Sequence, residues 1–244
     1  MKCIILAAGY ATRLYPLTKN FPKPLLEVGN RPILNWLIED IDLCGMVDEY
    51  IVVSNHKFVK HFQDWATKMK YNITVLDDGS TANENRLGAV KDLEFAVKEL
   101  QIDDDCLVIA GDNLLDFSLA DFISYAQPKK ASCVMYHYLE DIDKLRKTGV
   151  AEIKNNILIN MEEKPAEPKS HFFCPPFYYY VTKDIKRVSE ALKDGCAYDS
   201  PGAFLSWLCH KSTVNVLLMP EQRYDIGNIE SYEAVKTSYA PIDR

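Results

Sequence analysis

The chain has 244 residues, 48% of them hydrophobic and 26% charged, which suits one globular α/β domain with a substantial core. Its formal net charge of −7 argues against nucleic acid as a partner, and it requires a locally positive pocket for any anionic ligand. No apolar stretch is long enough to span a bilayer, so we expect no membrane partner. Whether the chain forms a homo-oligomer is left open by its composition.

Two features of the sequence favour a cytoplasmic location. No charged segment precedes an apolar run near residue 1, so we expect no leader. The seven cysteines are scattered without C-x-x-C spacing, a pattern typical of reduced thiols and not of a disulfide framework or a zinc site.

The first predicted element is a strand over residues 3–6, an uninterrupted apolar run of the kind buried on both faces of a sheet. The small residues at 7–12 follow it, and their backbone N–H groups can approach a ligand closely and form an anion cradle. Arg13 and Lys23 add two cations to the same connection. This combination suggests a polyphosphate ligand, although the spacing fits neither a P-loop nor a dinucleotide fingerprint.

An alternation of helices and strands follows. Helical spacing of apolar residues predicts a helix that begins at Arg31 after a cap at Asn30. A strand over 50–53, a helix over 58–65 and a strand over 73–76 come next. This βαβαβ order predicts an α/β fold with a doubly wound, mostly parallel, Rossmann-like sheet. Ligands of such sheets bind beyond the carboxyl ends of the strands, where the small residues after the first strand would lie.

The next part of the chain contains a possible metal ligand. Residues 77–86 are polar and turn-rich, which is typical of a surface loop, and they precede a helix over 87–100. A buried strand over 106–110 then ends at Gly111-Asp112-Asn113. A carboxylate at the carboxyl end of a central strand is well placed for magnesium (Mg²⁺) held jointly by protein and phosphates.

The later elements are a hairpin, a proline-containing strand and a helical region. The hairpin pairs 148–152 with 157–160 and leads into Glu-Glu-Lys-Pro at 162–165, which by charge alone is typical of a solvated loop. A strand over 172–180 contains Pro175 and Pro176, and 182–211 is predicted to be helical. A strand over 213–219, the turn around Asp225 and a last helix complete the predicted elements.

Several motifs together resemble those of the sugar-phosphate nucleotidyltransferases, the family of glucose-1-phosphate thymidylyltransferase and UTP–sugar-1-phosphate uridylyltransferase. They are Leu-Ala-Ala-Gly at 6–9, Thr-Arg-Leu at 12–14, Pro-Lys-Pro-Leu-Leu at 22–26, Gly-Asp-Asn at 111–113 and Glu-Glu-Lys-Pro at 162–165. The resemblance covers nearly the whole chain and is to the short form without a β-helix domain. It implies GT-A-like nucleotidyltransferase topology in a single domain, with a nucleotide-binding half over about 1–115 and a sugar-phosphate-binding half over about 116–244.

The resemblance also implies roles for individual residues. Arg13 and Lys23 would be catalytic, and Asp112 and Asp225 would bind Mg²⁺. The residues expected at the nucleotide are Leu6, Ala8, Gly9, Tyr10, Ala11, Thr12, Asn83, Asn85, Gly88 and Asp112. Those expected at the sugar phosphate are Gly149, Glu163, Lys164 and Pro176.

Three positions depart from the family pattern. Ala11 replaces the second glycine of the signature, and Pro175-Pro176 replaces a Thr-Gly dipeptide in the wall of the sugar pocket. The glutamine of the thymidylyltransferases is missing, and Asn83, Asn85 or Arg86 could substitute for it, because an amide offers one donor and one acceptor to a pyrimidine edge.

The expected activity is transfer of a nucleotidyl group from a nucleoside triphosphate, UTP or dTTP, to a sugar 1-phosphate, with release of pyrophosphate. One alternative is a cytidylyltransferase that acts on a sugar phosphate or on a non-sugar phosphate such as phosphocholine. Another is a non-catalytic regulatory subunit that binds nucleotide, although such subunits typically lose one of the charged residues kept here. The five histidines have no shared spacing with a serine or carboxylate and are expected to be structural.

Overall fold

The computed structural model describes residues 1–220 and 223–239, apart from the side chain of residue 225. The strands are β1 (Lys2–Leu6), β2 (Glu27–Val28), β3 (Arg31–Pro32), β4 (Glu49–Ser54), β5 (Ile73–Asp77), β6 (Cys106–Ala110), β7 (Asn113–Leu115), β8 (Ser132–Tyr138), β9 (Gly149–Lys154), β10 (Ile157–Glu163), β11 (Phe172–Cys174), β12 (Phe177–Tyr180), β13 (Val214–Leu218) and β14 (Arg223–Asp225). The helices are α1 (Ile33–Asp42), α2 (Val59–Ala66), α3 (Ala89–Glu99), α4 (Leu119–Ala126), α5 (Ile142–Leu145), α6 (Thr182–Ile185), α7 (Val188–Lys193), α8 (Gly202–Leu208) and α9 (Ile229–Ser238).

A ten-stranded sheet in the order β11-β9-β10-β13-β8-β12-β6-β1-β4-β5 forms the centre of the molecule. Strands β1, β4, β5, β6, β8, β9 and β13 run in one direction, and β10, β11 and β12 run against them. The sheet is therefore mostly parallel, as predicted. Its first four strands along the chain have the doubly wound order β5-β4-β1-β6, with β1 paired in parallel to both β4 and β6.

Helices cover both faces of the sheet and form two hydrophobic cores. Ile5 belongs to the core under α1, α2 and α4, whereas its neighbour Ile4 belongs to the core under α3, α7 and α8. Both side chains are fully buried. The uninterrupted apolar sequence of β1 is explained by this burial on two faces.

The predicted start of the first long helix is wrong by two residues. Gly29 and Asn30 both have positive φ, 62° and 61°, and they form the turn of a small hairpin between β2 and β3. Asparagine tolerates this left-handed conformation, so the residue that resembled a helix cap is a turn residue. Helix α1 begins at Ile33, after the strand residues Arg31 and Pro32.

The predicted strand over residues 172–180 is two strands. Pro175 and Pro176 supply no backbone N–H, so the ladder stops there. The chain then changes place in the sheet: β11 lies at the curled end, paired to β9 and β8, and β12 lies centrally between β6 and β8. The helical region that follows is interrupted as well and forms the three short helices α6, α7 and α8.

The seven cysteines are free thiols, four of them buried. Among the residues that the structure describes, no helix has the length and apolarity needed to cross a membrane.

Candidate functional site

A cleft of about 340 Å³ opens at the carboxyl ends of β1 and β6. It is lined by Leu6, Ala7, Ala8, Gly9, Ala11, Arg13, Leu14, Lys23, Pro24, Arg86, Gly88, Ala89, Asp92, Ala110, Asp112, Asp199, Pro201, Ile226 and Gly227. The order of the strands reverses between β1 and β6, because β4 and β5 lie on one side of β1 and β6 lies on the other, and ligands of open α/β sheets usually bind at such a position.

The loop of small residues after β1 is held in place by side chains from outside it. Asn55 donates a hydrogen bond to the carbonyl of Ala8 at 2.9 Å, and Thr18 donates one to the carbonyl of Ala11 at 2.8 Å. An added Cβ at Gly9 would have no atom within 4 Å, so the backbone there faces open space in the cleft. These residues form a fixed cradle (residues 7–12) whose backbone can approach a ligand closely.

Ala11 has φ 47° and ψ 43°, in the left-handed region. Glycine adopts this region without strain, whereas alanine loses roughly 1 kcal/mol there. The substitution of alanine for the glycine of the family signature therefore leaves the backbone in a glycine-like conformation. The hydrogen bond from Thr18 helps to stabilise it.

Lys23 and Asp112 form an ion pair at the floor of the cleft. The Lys23 Nζ lies 2.7 Å from Asp112 Oδ2, with the lysine side chain 8% exposed and the aspartate side chain 39% exposed. Burial alone would raise the pKa of Asp112, but the charge and hydrogen bond of Lys23, together with Arg223, hold it below its usual value. Asp112 is therefore an anion at neutral pH, beside one fixed cation.

The C-terminal part of the chain returns to the floor of the cleft, beside the ion pair of Lys23 and Asp112. Strand β14 pairs antiparallel with β7 and places residue 225 opposite Asn113, next to Asp112. Arg223 donates a hydrogen bond from Nη1 to Asn113 Oδ1 at 2.8 Å. The side chain of Asp225, the second predicted metal ligand, lies outside the described part of the structure.

The wall around Gly88 joins the two halves of the chain. Gly88 has φ 92°, and an added Cβ would lie 2.7 Å from the carbonyl oxygen of Tyr198, so only glycine fits. Arg86 donates from Nε and Nη2 to Asp199 Oδ1, at 3.1 and 2.8 Å. Val90 N–H donates to Tyr198 O at 2.9 Å, so this contact continues along the backbone.

The two asparagines predicted to contact the base have local roles in the structure. Asn85 accepts hydrogen bonds from the N–H groups of Thr81 and Ala82 at 3.1 and 2.9 Å. Asn83 supplies its backbone carbonyl to Arg86 Nη1 at 2.9 Å. Neither asparagine lines the cleft, whereas Arg86 does.

The residues predicted to bind the sugar phosphate lie together beside the cleft. An added Cβ at Gly149 would lie 3.2 Å from Glu163 Oε1, and one at Gly202 would overlap the same oxygen. Burial raises the pKa of Glu163, and the charge of Lys164 opposes the rise. Lys164 is exposed at φ 50°, and its N–H donates to Thr148 O at 2.9 Å.

Pro176 connects this region to the floor of the cleft. Its carbonyl accepts a hydrogen bond from Ala110 N–H at 3.3 Å, two residues before Asp112. Gly202 follows Pro201, which itself lines the cleft. The sugar-phosphate candidates therefore adjoin the part of the cleft that Pro201 lines.

The structure brings one group of predicted site residues into the cleft: Leu6, Ala8, Gly9, Ala11, Arg13, Lys23, Gly88 and Asp112. Tyr10 points away, because its hydroxyl donates to Ser80 O at 2.9 Å, and Thr12 is exposed in a 3₁₀ turn. Among the residues at or beside the cleft for which the sequence patterns predict no role are Asp92, Asp199, Pro201, Gly202 and Ile226. The helical spacing of apolar residues predicts that one face of α3, which contains Asp92, is buried. No sequence pattern near residues 199–202 or 226 predicts their position, because only the folded chain brings them to the cleft.

These features define an α/β protein with a cleft at the carboxyl ends of its strands, and comparison with known proteins assigns it to a family. The family model described as nucleotidyl transferase matches residues 2–241, so the chain belongs to that family. It is similar to bifunctional protein GlmU of Methanococcus aeolicus, with 31% identity over 187 residues that cover 75% of this chain and 41% of the relative. It is also similar to UTP–glucose-1-phosphate uridylyltransferase AglF of Haloferax volcanii, with 27% identity over 74% of this chain and 72% of the relative.

The chain spans less than half the length of the GlmU relatives. Among solved structures, that of a putative glucose-1-phosphate thymidylyltransferase from Bacillus anthracis superposes with a TM-score of 0.81 and 22% identity, and covers 97% of this chain and 94% of the other. The predicted family and the predicted fold are thereby confirmed.

Proposed function

We propose that this protein transfers a nucleotidyl group from a nucleoside triphosphate, UTP or dTTP, to a sugar 1-phosphate and releases pyrophosphate. The observation that carries the proposal is the convergence of Arg13, Lys23 and Asp112 on a cradle of small residues at the carboxyl ends of β1 and β6. Relatives named as sugar-1-phosphate nucleotidyltransferases support it.

The reaction needs positioning and charge neutralisation more than acid–base chemistry. An oxygen of the sugar phosphate attacks the α-phosphorus, a new P–O bond forms, and the bond to the bridging oxygen breaks as pyrophosphate leaves. The attacking oxygen is already anionic, so no general base is required. Arg13 would hold the triphosphate and the departing pyrophosphate, Lys23 would neutralise charge around the α-phosphorus, and Lys164 would hold the acceptor phosphate.

The residues at the cleft fit a magnesium ion. Asp112 offers a partly exposed carboxylate with a lowered pKa, and hard oxygen ligands are those that Mg²⁺ prefers. Asp225 would be the second ligand, and the pairing of β14 with β7 supports this assignment. When bound, the ion would neutralise charge on the triphosphate.

The two substrates would occupy different halves of a single domain. We assign nucleotide binding to residues 1–115 and sugar-phosphate binding to residues 116–244. Near Gly149, Glu163 would accept a hydrogen bond from a hydroxyl group of the sugar. A cytoplasmic location and the absence of nucleic-acid and membrane partners are part of the same proposal.

The test is pyrophosphate release from UTP, dTTP, CTP, ATP and GTP with Mg²⁺, each paired with a panel of sugar 1-phosphates and with phosphocholine. Release with a sugar phosphate is the expected result and identifies base and sugar. In that assay Lys164→Ala should raise the KM for the sugar phosphate, whereas Lys169→Ala, at a neighbouring lysine, should not. Release with phosphocholine alone would replace the proposal with the cytidylyltransferase alternative, and nucleotide binding without release would favour the regulatory one.

A further inference from the structure

Two aspartates, Asp78 and Asp92, meet beneath the segment that contains Gly88. Asp78 follows β5, and Asp92 lies in the first turn of α3, where its N–H donates to Gly88 O at 2.9 Å. Asp92 lines the cleft but is only 5% exposed. The two carboxyl groups are close enough that each perturbs the pKa of the other.

This contact requires a proton. Asp78 Oδ2 and Asp92 Oδ1 are both shielded from solvent, and within residues 1–220 and 223–239 no N–H group, hydroxyl or cation donates to either. A carboxylate has no donor of its own, so one of the two groups must be protonated for the pair to bond. Burial, and then the charge of Asp78, raises the pKa of Asp92 to about 8, which is consistent with a proton shared at neutral pH.

The pair is one end of a chain of hydrogen bonds that reaches the cradle. The other oxygen of Asp78, Oδ1, accepts from Ser80 N–H and from Ser80 Oγ, both at 2.7 Å. The carbonyl of Ser80 accepts from the Tyr10 hydroxyl at 2.9 Å, and Tyr10 stands between Gly9 and Ala11 in the cradle. Two walls of the cleft that are far apart in sequence are thus connected through Asp78.

We propose that Asp92 is a positioning residue, which holds the Gly88 segment against the cradle through a proton shared with Asp78. The part of this inference that concerns nucleotide affinity rests on the proposed function. The position of the walls can be measured without any nucleotide.

Loss of the shared proton would place two anions side by side. The titratable and charged groups described around the pair are Asp77 at the end of β5, His56, whose Nδ1 lies 2.6 Å from Asp77 Oδ2, Glu84 in the loop before α3, Tyr10 in the cradle, and Arg86 and Asp199 at the mouth of the cleft. Arg86 is already bonded to Asp199. Repulsion between Asp78 and Asp92 should therefore separate the Gly88 segment from the cradle as the pH rises.

The experiment compares the wild-type protein with Asp92→Asn and Asp78→Asn, in which an amide N–H replaces the shared proton. Asp121→Asn is the matched control, because Asp121 is also in the first turn of a helix but is exposed. The first measurement is the infrared C=O band of a protonated carboxyl group at pH 7. We expect it in the wild type and in the control, and we expect the Asp92→Asn protein to lack it.

The second measurement is hydrogen exchange of residues 9–11 and 88–92, corrected for the intrinsic rate, between pH 7 and pH 9. Wild-type protection should fall above about pH 8, and Asp92→Asn should keep it. Calorimetric affinities for UTP and dTTP with Mg²⁺ should weaken about tenfold per pH unit above that pH in the wild type and stay level in Asp92→Asn.

An unchanged infrared band in Asp92→Asn, or the same pH profile in that variant and the wild type, would overturn the proposal. If Asp92→Asn does not fold, Asp78→Asn decides in the same way. Absence of binding with either nucleotide, together with the expected infrared and exchange results, would refute the proposed function and leave the shared proton in place.

Discussion

Because Gly202 lies against Glu163, we expect Gly202→Ala, which adds one methyl group, to impair use of the sugar phosphate and to leave nucleotide binding intact. A Cβ at Gly202 would lie 2.6 Å from Met161 Cε and even closer to Glu163 Oε1. Both atoms are at the ends of flexible side chains, so Gly202→Ala should fold. Gly202 opens α8, where alanine is favoured over glycine, and the free energy of unfolding should not fall.

The added methyl group should lower kcat/KM for the sugar phosphate. Glu163 must move, and it would lose a charge-assisted hydrogen bond of about 1.5–3 kcal/mol, which corresponds to a decrease of roughly 10- to 150-fold in kcat/KM for the sugar phosphate. The affinity for the nucleoside triphosphate should stay within about twofold of the wild type. Steady-state kinetics with each substrate varied in turn and calorimetry with the nucleotide alone measure the two effects.

A double-mutant cycle supplies the control. In a Glu163→Ala background there is no carboxylate to displace, so Gly202→Ala should cause little further loss. If Gly202→Ala lowers kcat/KM equally in both backgrounds, or weakens nucleotide binding as much as sugar-phosphate use, the reasoning about Glu163 is refuted.

Three other predictions concern the floor of the cleft and the stability of the fold. Asp112→Ala should abolish magnesium-dependent pyrophosphate release with the circular dichroism spectrum retained, and unchanged turnover would remove Asp112 from the mechanism. Lys23→Met should reverse the direction in which Asp112 changes the free energy of unfolding with pH, measured by urea unfolding between about pH 3 and pH 6. In the wild type the pKa of Asp112 is lowered in the folded state, so the contribution of Asp112 to the free energy of unfolding grows as the pH rises. Without Lys23, burial raises the pKa of Asp112, and the contribution falls as the pH rises. Identical pH profiles of the two proteins would contradict the ion-pair argument. Asp40 accepts hydrogen bonds from Ser118 Oγ at 2.7 Å and from Leu119 N–H at 2.6 Å. Asp40→Ala should therefore lower the free energy of unfolding by about 2–3 kcal/mol and the melting temperature by roughly 4–12 °C. A decrease in melting temperature under about 2 °C by calorimetry would contradict this prediction.

The parts of the molecule that can be predicted from the sequence depend on short-range patterns. The apolar run of β1, the small residues after it and the carboxylate after β6 are each local, and the parallel order of the strands brings them to one edge. The sequence alone is therefore sufficient to predict that Arg13, Lys23 and Asp112 share one site.

The parts that cannot be predicted depend on contacts between distant residues or on competing local conformations. Arg86 meets Asp199 across 113 positions of sequence, and no local pattern encodes that pairing. The closeness of Gly202 to Glu163 has the same origin. A helix cap and a left-handed turn both favour asparagine, so Asn30 resembles a cap in sequence, and only the pairing of β2 with β3 distinguishes the two.

The return of the C-terminal part of the chain has a consequence for biosynthesis. The Tyr232 hydroxyl donates to Glu27 O at 2.8 Å across 205 positions, and β14 pairs with β7 beside Asp112. The ribosome synthesises the cradle before the walls formed by Ile226 and Gly227, which are about 215 residues further along the chain. A nascent polypeptide that ends before β14 would thus expose an incomplete cleft, and the pocket would close only after β14 had been synthesised.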